Sequence, residues 1–334
     1  IHGSPTCVML FEDALGYLVG PANQGLACMF TMMNEARLGV GLEGVSVSER
    51  AYQQAVAYAQ DRVQGKVPGE DGRASIIHHP DVRRMLFTMR AYVEAMRALS
   101  YVAAGHLDFS HHAPDDATRA AHQARADLLI PVVKGWCTEM GQVMTSLAIQ
   151  VHGGMGYVEE TGVAQYFRDA RITTIYEGTT GIQANDLVGR KTLRDKGAAF
   201  TAMLAEMSAT VDALNQVGAA VAPLAEGLAE AHAQLQGSVD WILSNAAEDP
   251  QAAGAASYHL LMQTGLACGG WQLGRAALAA SKALADGAAD KAFFNAKIAT
   301  ANFYATQVLP QAIGHARCVS HGADELMALP ADAY

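Results

Sequence analysis

Positive charge, aromatic rings and pairable cysteines are all scarce in this chain of 334 residues. Lys and Arg total 23 against 33 Asp and Glu, a formal net charge of -10. A surface so short of positive charge has no basic patch to offset repulsion from phosphates, which argues against nucleic acid as a partner. Aromatics make up 7% of the residues, too few for an ordinary β-sandwich core. The five cysteines, Cys7, Cys28, Cys137, Cys268 and Cys318, are odd in number, far apart and free of any Cys-x-x-Cys pair. They read as reduced thiols of a cytoplasmic protein and not as a zinc site. No apolar run approaches the roughly 18 residues of a membrane span, and no signal-peptide pattern is visible. The expected localisation is therefore cytoplasmic.

Small and apolar residues are abundant. The chain is 51% hydrophobic and 17% charged, with many Ala and 14 Met. That composition predicts helical domains with full cores, one large or two ordinary ones. The opening Ile1-His2-Gly3-Ser4-Pro5 gives no helix or strand start, as expected of a chain that begins inside a domain. Residues 7–12 form an apolar run that suits a strand, and Gly16, Gly20 and Pro21 punctuate the loop after it. From 23 to about 64, Leu26, Phe30, Met33, Leu38, Leu42 and Val45 recur at helical spacing. Gly39, Gly41 and Gly44 weaken that helix unless another helix or a ligand needs close approach there. Residues 65–75 read as a polar, glycine-rich loop.

A second helix is predicted from Pro80 to about 106, with Pro tolerated in its first turn. Asp115 or Asp116 is a good N-cap for a third, running to about 151. Its stripe of Leu128, Val132, Trp136, Met140, Val143, Leu147 and Val151 faces one way, and Pro131 predicts a kink. A glycine turn comes next at 153–157, then a short helix over 160–170, a loop over 171–181 and a helix over 182–193. Residues 197–315 read as a second helical array, with breaks near Gly218, at Glu248-Asp249-Pro250 and around Gly287. The expected architecture is all-α, two helical bundles in series, with boundaries at 1–20, 21–193 and 197–334.

Chemistry concentrates in two neighbouring segments. The first is Gln150-Val151-His152-Gly153-Gly154-Met155-Gly156-Tyr157. The second is Arg168-Asp169-Ala170-Arg171-Ile172, continuing to Tyr176-Glu177-Gly178-Thr179-Thr180-Gly181-Ile182-Gln183. By itself a loop Glu is most often solvated, and the glycines by themselves make a helix C-cap and turn. Arg168, Asp169 and Arg171 read as an ion-pair cluster that orders the loop. The doublets His78-His79 and His111-His112 invite a metal, but adjacent side chains diverge and no acidic ligand keeps regular spacing, so no metal site is expected. Met29, Met32 and Met33 read as core packing, or as the lining of an acyl pocket.

Taken in order, these segments resemble the acyl-CoA dehydrogenase family, whose pattern is a Gln-x-x-Gly-Gly-x-Gly-Tyr turn, then Arg-Asp-x-Arg-Ile, then Tyr-Glu-Gly-Thr-x-x-Ile-Gln. The resemblance extends more loosely over residues 1–190. It implies the end of a central β domain at the N-terminus (1–20), the family's C-terminal four-helix bundle over 21–193 and an additional helical domain over 197–334. That extra domain is similar to the 3-methylthiopropanoyl-CoA dehydrogenase-like subgroup and other broad-range acyl-CoA dehydrogenases.

The resemblance implies FAD as cofactor and an acyl-CoA thioester as substrate. Glu177 would remove the α-proton while the β-hydrogen leaves as hydride to flavin N5. Removing a weakly acidic α-proton needs a positioned base and a stabilised enolate-like oxygen, and Gly178 would let the thioester approach the backbone. Asn34, Arg37, Tyr176 and Gly178 match substrate-contacting positions. For Arg37 the competing reading is an ion pair with a local carboxylate such as Glu35. Some relatives carry the base immediately before that Arg; here the position is Ala36, and Glu35 faces another side of the helix.

Arg62 matches an Arg that reaches the FAD pyrophosphate across a subunit interface, a task suited to a guanidinium fork. The segment after Arg62 is shorter than the family's and lacks its Phe. Gln150, Gly153 and Gly154 match the turn at the adenosine part, and Thr179, Gly181 and Gln183 match positions beside FAD. A homodimer or homotetramer and an electron-transfer flavoprotein are the implied partners. Two other readings stay open: an inactive helical module for oligomerisation or binding, and an acyl-CoA oxidase that passes its electrons to oxygen.

Overall fold

The computed structural model describes residues 3–67 and 72–334. Ile1, His2 and the tip of the expected 65–75 loop, residues 68–71, lie outside the described residues. Helices dominate. The first half consists of α1 (Gly25–Asp61), a hairpin of β1 (Val63–Lys66) and β2 (Arg73–Ser75), α2 (Pro80–His112), α3 (Asp116–His152), a single turn α4 (Gly154–Tyr157), α5 (Val163–Thr173) and α6 (Thr180–Val188). A π-helical turn, Gly189–Leu193, extends α6. The second half comprises α7 (Ala198–Val217), α8 (Ala222–Asn245), α9 (Pro250–Ala285), α10 (Lys291–Gln307), α11 (Pro310–Val319) and a last turn α12 (Asp324–Met327).

Local chemistry sets the helix ends. Asp115, one of two expected caps, accepts from Thr118 N at 2.8 Å and opens α3. Asp249 accepts from Gln251 N and Asp290 from Phe293 N, so α9 and α10 start at the expected breaks. Pro80 sits in the first turn of α2, which runs six residues beyond the expected 106, to His112. Pro131 lies inside α3, and the helix continues unbroken across it.

Two expectations are corrected. Residues 7–12 do not form a strand: Val8, Met9, Leu10 and Phe11 are at least 70% exposed, with no partner strand among the described residues. A lone extended segment has nothing to take its backbone hydrogen bonds, so the β remnant expected at 1–20 is absent among the described residues 3–20. The β structure lies instead in the stretch read as a loop, where β1 and β2 pair antiparallel between Val63 and Ser75. Of the methionines read as core packing or as the lining of an acyl pocket, Met29 at 40% and Met32 at 59% exposure stand outside the core, and Met33 is half-buried.

α1, α2 and α3 pack along one another, and α6 lies on α3. Gly41 and Gly44 explain the weakened helix: a Cβ on Gly44 would lie 2.5 Å from the Cys137 carbonyl oxygen, so the glycines let α1 touch α3. The second half is wrapped around α9, which also contacts α2, α3 and α6. Trp136 of α3 is fully buried against α9, where Cβ atoms on Gly265 and Gly269 would come within 2.6 and 2.8 Å of its side chain. Phe87 stacks on Phe303 at 4.2 Å, and Arg125 meets Glu206 at 2.8 Å. The two halves therefore share one continuous apolar core, and each fully buried Leu or Met adds about 1.5–3 kcal/mol to it. No helix among the described residues is long and apolar enough to cross a membrane.

Candidate active site

Two clusters gather the residues singled out in the sequence, at different heights along α3. The first lies where the C-terminal ends of α1 and α3 meet the hairpin. A cavity of about 420 Å³ is lined there by Arg62, Gln64, Gln150, His152, Gly153 and Gly154, among others. Tyr58 stacks on His152 with ring centroids 4.3 Å apart. The His152 ring is fixed by its Nδ1, which donates to Ala148 O at 2.7 Å, and burial pulls its pKa below the usual value. Because a carbonyl only accepts, Nδ1 carries the proton. Gly153 ends α3 at φ 60°, and a Cβ on either Gly153 or Gly154 would meet nothing within 4 Å. Arg62 is exposed and has no ion pair among the described residues. An unpaired guanidinium beside bare backbone suits an anionic group.

The second cluster is the loop between α5 and α6. Its ends are closed by Thr180 N donating to Thr174 O at 3.1 Å. At its tip Glu177 has φ 56° and Gly178 φ 88°, two successive left-handed residues. For a non-glycine residue this conformation costs roughly 1–3 kcal/mol and is kept where surroundings impose it. Here they do. Buried Gln183 donates its amide to Glu177 O and Gly178 O, each at 3.3 Å. At φ 88° any side chain would be strained, and a Cβ on Gly178 would lie 2.8 Å from that amide nitrogen and push the latch aside.

Thr179 caps α6 by accepting from Ile182 N, and Gly181 lies exposed in its first turn. Thr180 donates to Glu139 Oε1 of α3 at 2.6 Å. Tyr176 donates its hydroxyl to Glu43 of α1, and burial followed by that carboxylate raises the phenol pKa. Arg171 reaches Thr174 at the base of the loop. The Glu177 carboxylate itself is half-buried and has no hydrogen-bond or ion-pair partner among the described residues. Beside the loop lies a cavity of about 510 Å³ lined by Glu43, Ser46, Asp169, Ile172 and Tyr176, among others.

Beneath the loop is a buried charged layer. Arg37 is 5% exposed and pairs with Asp186 of α6 at 3.3 Å. Its partner is not Glu35, which points to solvent two residues away on α1. Asn34, one turn earlier, is half-buried. Lys134 is wholly buried, its Nζ without a hydrogen bond, and burial pushes it down to about 8. Sequence reasoning missed Lys134, Glu139, Glu43 and Asp186. One signal was there: Lys134 interrupts the run Leu128-Leu129-Ile130-Pro131-Val132-Val133, where a helix facing a core has no use for a charge.

The expected cluster of Arg168, Asp169 and Arg171 is dispersed: Arg168 pairs with Glu159 at 2.7 Å, Gln165 donates to Asp169 at 3.2 Å, and Arg171 serves Thr174. His79 bonds Gln64 O at 2.8 Å, and no group of three or more potential metal ligands gathers among the described residues.

Comparison with known proteins decides the family. The family described as acyl-CoA dehydrogenase, C-terminal domain, matches residues 23–192. The chain belongs to the acyl-CoA dehydrogenase family. A second family, described as acetyl-CoA dehydrogenase C-terminal like, matches residues 203–330. The chain is 49% identical to a 3-methylmercaptopropionyl-CoA dehydrogenase of Ruegeria pomeroyi over 98% of its length, covering 56% of that protein. It spans about half the length of the curated relatives it matches.

Two solved structures share the fold. Caenorhabditis elegans ACDH-11 in complex with C11-CoA gives a TM-score of 0.70 at 21% identity, over 87% of this chain and 46% of that one. An acyl-CoA dehydrogenase of Bacillus anthracis complexed with FAD gives 0.68 at 19% identity, over 89% and 49%.

Proposed function

We propose that this chain carries the catalytic base of an FAD-dependent acyl-CoA dehydrogenase that converts an acyl-CoA thioester to the 2-enoyl-CoA. Glu177 is the base. The observation that carries the reading is the left-handed turn at Glu177 and Gly178, latched by Gln183, which spends backbone strain to present a carboxylate with no partner of its own. A base held this way is free to take a substrate proton, and a general base contributes about 10²–10⁴-fold to rate.

The bare backbone at Gly153 and Gly154 and the unpaired Arg62 fit a dinucleotide's pyrophosphate. Arg62, Gln150, Gly153 and Gly154 would hold one part of FAD, and Thr179, Gly181 and Gln183 would lie beside another. FAD, when bound, supplies the hydride acceptor. Tyr176, Gly178, Asn34 and Arg37 would shape the acyl-CoA site, with Arg37 acting from its buried pair with Asp186. The relative and neighbour that act on or bind CoA thioesters, and the neighbour complexed with FAD, support this chemistry. A homodimer or homotetramer, with Arg62 serving a neighbouring subunit's cofactor, and an electron-transfer flavoprotein as acceptor complete the proposal.

The test is Glu177→Gln in the intact flavoenzyme, read by stopped-flow bleaching of the flavin with acyl-CoA. The rate is expected to fall by about 10²-fold or more. Bleaching at the native rate would overturn the assignment.

A further inference from the structure

Lys134 is a buried charge that the proposed reaction does not use. No part of its side chain reaches solvent, and its Nζ has no hydrogen-bond partner. Burying an ammonium without a partner is costly, and an apolar residue of similar length would avoid the cost. Its helix neighbours Ile130, Val132, Val133 and Trp136 are all buried apolar side chains, so packing alone asks only for another of these.

The groups in electrostatic range of Lys134 explain its presence. From α1 come Arg37 and Glu43, from α3 Glu139, and from the loop Glu177. In the next layer Asp186 of α6 pairs with Arg37, Tyr176 holds Glu43, and Tyr258 of α9 lies in range of Glu139. Glu43 and Glu139 are the two carboxylates that tie the loop on either side of Glu177, through Tyr176 and Thr180. Three carboxylates therefore converge on a short loop. Arg37 is already committed to Asp186, which leaves Lys134, among the described residues, as the buried cation in electrostatic range of all three.

We infer that Lys134 is a positioning residue, the shared counter-charge of Glu43, Glu139 and Glu177 that offsets their mutual repulsion and keeps the loop of the base in the left-handed turn. The inference rests on the reading of Glu177 as the base. Burial pushes the ammonium down to about 8 while Glu139, Glu177 and Glu43 oppose that shift, so it is charged at neutral pH and loses its proton in mildly alkaline solution.

The experiment measures flavin reduction by saturating acyl-CoA between pH 5 and 10 in the intact flavoenzyme, for the native protein and for Lys134→Met, Glu139→Gln and Glu177→Gln. Removing the cation is expected to move the acid limb of the rate profile up by about one unit, the size of a close charge contact. Glu139→Gln removes a competing carboxylate and is expected to move the limb the other way. Opposite displacements from two neighbouring positions of α3 are what a purely structural role does not produce. Native protein is also expected to change rate near pH 8, and Lys134→Met to lack that step.

If Lys134→Met yields no folded flavoprotein, Lys134→Gln takes its place: an unmoved acid limb overturns the inference and an upward shift, opposite to that of Glu139→Gln, supports it. Coincident profiles for Lys134→Met and native protein also overturn it. Glu177→Gln separates the two ideas. An active Glu177→Gln protein removes the base itself, whereas an inactive one beside an unshifted Lys134→Met profile removes only the role of Lys134.

Discussion

The two halves of the molecule are built from the same helices and share one core, yet they bury different things. In the first half, α1 to α6, the buried side chains include Arg37, Arg125, Lys134, His152 and Asp186. From residue 193 onward no Arg, Lys, His, Asp or Glu is buried among the described residues, and the buried polar groups are Thr, Ser and Gln. Left-handed non-glycine residues occur in both halves, at Glu177 and at Lys196, but in the first half the loop of Glu177 is latched by a buried Gln183. The second half closes on glycines, alanines and large apolar side chains around α9. Buried charges seldom improve on well-packed apolar residues in stability, and perturbed ionisable groups collect where chemistry is done. The contrast places the buried charge beside the candidate site in the first half and leaves the second as packing support that holds α3 and α6 in place.

The largest expected effect breaks the charged layer. Asp186→Ala leaves Arg37 buried without its partner and is expected to cost about 3–5 kcal/mol, read by urea unfolding of the intact protein. A loss below about 1 kcal/mol, the scale of an exposed pair, would show that the layer is hydrated and the contrast between the halves overstated. The sharper form replaces both partners, Arg37→Met with Asp186→Leu. Stability is expected to return to near the native value while flavin reduction stays impaired, because the charges serve the site and not the fold. Recovery of both would place the pair among ordinary packing.

Next in size is the seam between the halves. Gly265→Ala adds a methyl where Trp136 Cβ and Cδ1 would each lie 2.6 Å away. Replacing glycine inside a helix gains about 1 kcal/mol in propensity. Displacing a fully buried indole outweighs that gain, and the net loss is expected at about 1–3 kcal/mol. The control is Gly254→Ala on the same helix, where an added Cβ meets nothing within 4 Å and the propensity gain stands alone. Thermal melts of the two variants should move in opposite directions. A shared direction would mean that Trp136 relaxes freely and the halves are docked less tightly than the contacts indicate.

Much of this was legible in the sequence, and the failures share a cause. Helix positions, the Asp caps and the breaks at 218, 250 and 287 come from local chemistry that a single segment carries. The clustering of Arg62 with Gln150, Gly153 and Gly154 comes from an ordered motif. The features that escaped depend on partners distant in sequence. Asp186 lies 149 residues from Arg37, so Glu35 looked the nearer partner although the helix turns it to solvent. Glu139 and Thr180 meet only because α6 lies on α3. Residues 7–12 have strand composition but no neighbour to pair with, and β1 and β2 formed where Gly and Lys pointed to a loop. Periodicity reports which face is buried, and says nothing of which charge is waiting on the other side.

The smallest expected effect compares two histidine pairs, one in each half. His106 and His122 meet through their Nδ1 atoms at 2.8 Å between α2 and α3, and His259 and His315 at 3.0 Å between α9 and α11. In each pair one nitrogen must donate and the other accept, so at least one ring is neutral. Burial, reinforced by Arg125 and His122, lowers His106 to about 4, while His259 and His315 are lowered chiefly by burial. A histidine whose folded pKa lies below its unfolded value of about 6.5 binds fewer protons folded than unfolded in the window between them. Stability therefore rises with pH across that window and is lost on acidification from 6.5 toward 4. His106→Gln removes the titration and is expected to reduce the fall in Tm between pH 7 and pH 5 by about 2 °C. His259→Gln should reduce it less, because no cation adds to burial there. An equal or larger effect from His259→Gln would mean that Arg125, held by Glu206, no longer bears on His106, and that acid sensitivity is spread evenly over both halves while the other buried charges are not.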